Sequence, residues 1–151
     1  MRIILTFLLI SLFVVIKSGC SENRDSIDRF ILNEISGRYD VKIEYRDGQE
    51  NTQIADVSVD NRILENLGLS QNEVLIIIDH AIIQTKFQLQ NIRSFSLRSR
   101  GSAVSVLLDD NMSDINVLVN AIGSNAYGVE GEISAVVKYD RSGNHKSTFT
   151  W

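Results

Sequence analysis

Four apolar residues at strict period two, followed at once by an Asp-Gly pair, constrain this chain more than any other feature. Tyr39, Val41, Ile43 and Tyr45 alternate with Asp40, Lys42, Glu44 and Arg46, the pattern of a strand with one buried and one wet face. Asp47-Gly48 is a strong turn signal, because tight hairpin turns need residues that tolerate positive φ. The returning segment, Thr52 to Val59, places Ala55, Val57 and Val59 at the same period. A β-hairpin is expected here, and it commits the domain to antiparallel pairing.

The rest of the chain is read outward from that hairpin. Asp25 to Ser36 has Ile27, Phe30, Ile31 and Ile35 on one helical face, with Asp25 or Ser26 to cap it and Gly37 to end it. Asn61 to Leu67 reads as a short helix or turn closed by Gly68. Ser70 and Glu73 have the spacing of a capping box. The segment after them, about residues 71–90, is apolar on nearly every side. Its length favours a buried helix, and its β-branched residues keep a buried strand open. Ile92–Leu97 and Ala103–Leu108 read as a second hairpin around Arg100-Gly101-Ser102. Asn111 to Ile122 reads as a third helix, with Ile115, Leu118, Val119 and Ile122 on one face. Val129, Ile133, Ala135, Val137 and Tyr139 alternate again. They turn at Arg141–Asn144 into a last strand holding Ser147, Phe149 and Trp151.

The expected fold is thus α+β, a single two-layer domain over residues 26–151 in the order α-ββ-α-ββ-α-ββ. Its mainly antiparallel sheet is built from three hairpins, with helices on one face and the other free to meet water or a partner. The three units do not align by identity, so they are a pattern and not a demonstrated repeat.

The start of the chain is of another kind. Met1 and Arg2 precede an apolar run from Ile3 to Ile16, broken only by Thr6 and Ser11, and then Lys17, Ser18, Gly19 and Cys20. Charge, a short apolar stretch and small residues at a cut form the layout of a secretory signal. The run is short of the roughly 20 apolar residues a spanning helix needs. Residues 17–20 resemble the lipobox of bacterial lipoproteins. Ser18, Gly19 and Cys20 match that motif, and Lys17 stands where the family usually has an aliphatic residue. The resemblance covers about the first 20 residues. It implies that residues 1–19 are removed as a signal peptide and that Cys20 is acylated. Residues 20–25 would then form the lipid-bearing cysteine and a short polar tether. Ser21 after the lipid site resembles proteins sorted to the outer membrane in diderm bacteria, which implies its periplasmic face. Cys20 is the one cysteine of the chain, so no intramolecular disulfide forms. An uncleaved signal anchor and a secreted protein with a free thiol are the alternatives.

Removing residues 1–19 takes Arg2 and Lys17 from the 15 basic residues and leaves the 19 acidic ones, a formal net charge of −6. An acidic surface disfavours nucleic acid and anionic lipid as partners. About 130 residues make one domain with a core large enough to stand without metal or disulfide support.

Few residues suggest chemistry. Asp79-His80 pairs a carboxylate with an imidazole, but neighbours on a helix point about 100° apart. The two histidines, His80 and His145, with no cysteine besides Cys20, fall short of a four-ligand zinc site. Asp109, Asp110 and Asp114 lack the spacing of a calcium loop and suit capping. No nucleophile elbow, P-loop or dinucleotide fingerprint occurs. No cofactor and no metal are expected. Arg93, Arg98 and Arg100 form a local basic group, and Arg98 and Arg100 share a strand face if the second hairpin forms. Such arginines suit a carboxylate or phosphate partner, though a solvated face that blunts edge pairing is their more ordinary use. Trp151, and the tyrosines Tyr39, Tyr45, Tyr127 and Tyr139 with Phe149, are either core or binding face. Among these, Arg93, Arg98, Arg100 and Trp151 are the candidate partner-binding residues.

These readings converge on a lipid-anchored protein of the cell envelope. It would act as a non-catalytic binding module, inhibitor- or immunity-like in architecture, joined to the membrane through Cys20 and to an envelope protein through its domain. The alternative is a small envelope hydrolase whose site forms only in three dimensions around Asp79 and His80.

Overall fold

The computed structural model describes residues 29–125 and 127–151. The signal, Cys20, the tether and the first residues of the expected N-terminal helix lie outside them. The order of elements is β1 (Ile31–Asn33), β2 (Arg38–Arg46), β3 (Thr52–Asp60), α1 (Asn61–Glu65), α2 (Gln71–Phe87), β4 (Asn91–Leu97), β5 (Val104–Leu108), β6 (Asp114–Ser124), β7 (Glu130–Asp140) and β8 (His145–Thr150). The strands form one mixed sheet in the order β1-β2-β3-β5-β6-β7-β8, with β4 also on β6.

The hairpin β2–β3 holds from Arg38↔Asp60 to Arg46↔Thr52, so the alternation read from the sequence is the pleat itself. Val41, Ile43, Tyr45, Ala55, Val57 and Val59 are buried on one face. The turn is longer than the Asp-Gly pair predicts. It runs from Asp47 to Asn51, and its left-handed residue is Glu50 at φ 64°. The Asp47 carboxylate organises it by accepting from the main-chain N–H of Gln49 at 2.8 Å and of Asn51 at 2.9 Å.

Helix α2 settles the helix-or-strand choice over residues 71–90. Its capping box is complete: Ser70 Oγ accepts from Glu73 N, and Ser70 N donates to Glu73 Oε2 at 2.7 Å. Such caps stabilise by about 1 kcal/mol. The helix lays Val74, Ile77, Ile78, Ala81, Ile82 and Thr85 on the sheet and packs against β4, β6, β7 and β8. The short helix α1 starts at Asp60, whose carboxylate accepts from Arg62 N at 3.0 Å and from the Arg62 guanidinium at 2.6 Å, while Arg62 also donates to Leu108 O. This ties the end of β3 to the end of β5 and seats fully buried Ile63 on the core.

Three expected elements are corrected. The helix over Asp25–Ser36 does not extend through its described part: Ile31–Asn33 is the edge strand β1, paired to β2, and a turn closed by Gly37 at φ 64° follows. Ile31, Leu32 and Ile35 are exposed, and among the described residues of that apolar set Phe30 alone is buried. Its ring meets Tyr39 edge-on at 6.1 Å.

The second hairpin is absent. β4 and β5 run in the same direction along one flank of β6. Residue Asn120 of β6 bridges them, accepting from Arg98 N and donating to Ala103 O, so residues 98–103 are an interruption in a line and not a reversal. Arg98 and Arg100 therefore do not share a strand face.

The helix over Asn111–Ile122 is strand β6. Ile115, Val117, Val119 and Ala121 alternate into the core, and their β-branched side chains pack well on a pleated surface. The acidic residues before it build a turn, with the Asp109 carboxylate accepting from Ser113 N and Asp114 N. The last hairpin, β7–β8, is as expected.

One face of the sheet is thus covered by α1 and α2. The other presents Ser105, Leu107, Asn116, Leu118, Val136 and Lys138, all partly exposed, with Phe149 55% exposed beside them.

Candidate functional site

Asp79 and His80 go to different places, as their helix geometry requires. Asp79 lines an open cleft of about 420 Å³ with Tyr45, Arg46, Glu50, Ile82 and Lys86. Lys86 closes one side of it, donating to Asp47 O at 2.9 Å and pairing with Glu50 at 2.7 Å.

His80 instead joins a ring cluster with Tyr139 and His145, whose centroids lie 5.2 to 5.8 Å apart. The Tyr139 hydroxyl donates to Ile77 O at 3.2 Å, so it accepts from His80 Nδ1–H at 2.8 Å. That leaves Nε2 to accept from the Gln84 amide at 3.3 Å. His145 Nε2 meets Thr148 Oγ1 at 3.0 Å. A neutral His80 satisfies every one of these bonds. Among the described residues the His80 ring meets Tyr139, Gln84 and His145, which links α2, β7 and β8.

Burial, and then the neighbouring His145, hold His80 below the usual histidine range of 6.5. The phenol of Tyr139 is pushed well above its ordinary value by burial. The sign of the pH effect follows. Below pH 6.5 the unfolded chain takes up a proton that folded His80 resists, so stability falls as pH drops through that window. Urea midpoints at pH 7.5 and pH 5 are expected to decline with acidity, and His80→Gln is expected to flatten that slope. An unchanged slope in the variant would place the titration elsewhere.

Among the described residues no group of three or more His, Cys, Asp and Glu could hold a metal ion, and no helix is long and apolar enough to cross a membrane.

The three arginines do not act together. Arg93 lines a shallow cavity with Asp47, Ser94 and Glu130. Arg98 faces Glu132 at 3.8 Å. Arg100 is exposed in the interruption between β4 and β5. Each of the first two has a β7 carboxylate beside it, which lowers its use as an anion site.

Trp151 is 69% exposed, yet its main chain is fixed. Trp151 N donates to Ser134 O at 3.0 Å, and Ser134 N donates to Trp151 O at 3.1 Å. It borders a groove of about 470 Å³ lined by Leu89, Gly123, Val129, Gly131 and Ile133 as well. The groove opens where α2 has ended and the sheet continues. Gly123 and Gly131 face each other across the β6–β7 ladder; Gly123 is buried under Leu89 and Ile133, and Gly131 has open space above it. Sequence reasoning found Trp151 and missed the glycines, since two Gly separated by a turn become a notch only when the register pairs them.

No protein-family model, curated protein or solved structure matches this chain.

Proposed function

We propose that the protein is a lipid-anchored binding module of the bacterial cell envelope, without catalysis of its own. The anchor half of this reading rests on residues 1–20 and their resemblance to a lipoprotein signal. The binding half rests on one observation, the groove beside Trp151. It combines an apolar lining and a polar rim with a bordering exposed aromatic whose main chain is hydrogen-bonded, as partner-binding surfaces do. The hydrolase reading has less in its favour, because Asp79 and His80 face different surroundings and His80 is fully used by Tyr139 and Gln84.

Intact mass of the membrane-extracted protein tests the anchor. The expected native chain begins at Cys20 and carries acyl groups, while Cys20→Ala retains residues 1–19. A native chain that keeps residues 1–19, or loses them without gaining lipid, would remove the anchor and the localisation with it.

A further inference from the structure

The two histidines of the chain come from elements far apart in sequence and stand side by side. His80 is half-buried on α2, and His145 is exposed at the start of β8. Their ring centroids lie 5.2 Å apart. Two imidazoles that hold one tetrahedral ion through nitrogens at about 2.0–2.1 Å have centroids roughly 5 Å apart. The separation is therefore the one a shared ion requires.

The hydrogen bonds of each ring leave one nitrogen lone pair for such an ion. His80 Nδ1–H donates to the Tyr139 hydroxyl at 2.8 Å, and that hydroxyl is itself anchored on Ile77 O at 3.2 Å. A ligating histidine is ordinarily fixed in this way, its other N–H given to a protein acceptor that sets tautomer and ring orientation. The acceptor is rigid, since Tyr139 is buried under α2. The lone pair of His80 Nε2 then points away from Tyr139. It meets the Gln84 amide at 3.3 Å, the longest hydrogen bond of the cluster. Gln84 is half-exposed, so its neutral amide is free to swing out before a dication. His145 has the same layout. With Thr148 Oγ1 accepting from its Nε2–H at 3.0 Å, the lone pair is on Nδ1.

Two imidazoles select the ion by class. They suit zinc, nickel and copper, whereas magnesium and calcium take oxygen ligands. The acidic chain, at a formal net charge of −4, draws cations toward it. Among the described residues no third His, Cys, Asp or Glu joins the pair, so the remaining positions fall to water. That is an open site and not a closed structural one.

We propose that His80 Nε2 and His145 Nδ1 together bind one divalent ion of the zinc, nickel and copper group, across the junction of α2 with β8. The inference goes beyond the groove and the anchor and needs neither.

The test titrates zinc into the full chain in an uncharged detergent, with magnesium as the control. The histidine ring protons are followed by NMR on isotope-labelled histidine. With two histidines in the chain, these signals report on this cluster alone, and zinc bound at the Cys20 thiol or at surface carboxylates leaves them unmoved. Both rings are expected to shift together and to saturate at one ion per chain, with no response to magnesium. His145→Gln, an exposed change, should weaken binding at least tenfold. Tyr139→Phe removes the acceptor that orients His80 and should weaken it by about 10- to 100-fold, as loss of such supporting groups does. Both variants are checked for an unchanged circular dichroism spectrum.

Rings that do not shift up to about millimolar zinc, the weak limit of specific binding, overturn the proposal. So does a shift of one ring alone, an equal response to magnesium, or unchanged affinity in His145→Gln. Saturation at half an ion per chain with formation of a dimer would place the ion between two copies and overturn the pairing of His80 with His145 in one chain.

Discussion

Gly48→Ala is expected to destabilise the domain by about 3 kcal/mol, at the upper end for forced overpacking. A Cβ at this position would lie 2.3 Å from Ile92 O and 2.5 Å from the carbonyl carbon and oxygen of Arg93. These are main-chain atoms of β4, so no rotamer change relieves the clash. Gly48 N also donates to Phe95 O at 2.7 Å, and a displaced turn loses that bond. Chemical denaturation of the variant beside the native protein measures the effect. An unchanged midpoint would mean that the β2–β3 turn is not seated on β4.

Phe95→Ala is expected to cost about 4 kcal/mol, within the usual range for removing a buried aromatic ring. Phe95 is 1% exposed. Its ring meets Tyr45 edge-on at 6.4 Å and 88°, and the Tyr45 hydroxyl accepts from Leu97 N at 2.9 Å. The ring thus lies where the hairpin β2–β3, strand β4 and the core meet. A loss under about 2 kcal/mol in the same denaturation experiment would show that the site collapses around the smaller residue.

These two positions also show what was legible in advance. The hairpin β2–β3 was readable because its alternation is strict and its ends carry turn chemistry. The role of Gly48 was not. An Asp-Gly pair predicts positive φ at Gly48, whereas Glu50 takes that conformation and Gly48 is required by contact with a strand more than 40 positions away. Helix α2 was readable from its capping box and length. Strand β6 was mistaken for a helix because Ile115, Val119 and Ile122 satisfy a 3.6-residue period, while Ile115, Val117, Val119 and Ala121 satisfy a period of two. Only pairing to β5 and β7 selects between them. The break between β4 and β5 resembled a hairpin because Gly101 and its neighbours are turn residues. They form a loop in which the chain direction is kept, and Asn120 on another strand holds it. The candidate site was half visible: Trp151 stood out by type, and the notch beside it depended on a register that no local pattern encodes.

The one parallel contact among the described strands has a kinetic consequence. β1–β3 and β5–β8 are ribbons whose strands follow one another in sequence, so each closes through short loops. They are joined by three parallel pairs, Val57↔Val104, Ser58↔Ser105 and Val59↔Val106, with α1, α2 and β4 lying between the partners in the chain. Closing that seam costs more chain entropy than any neighbouring pairing, so it belongs to the late side of the folding barrier. Val106→Ala should then speed unfolding far more than it slows refolding, and a chevron in which refolding carries most of the loss would place the seam in the nucleus instead. On this account the domain assembles as two ribbons and is sewn shut last, along a line three residues long.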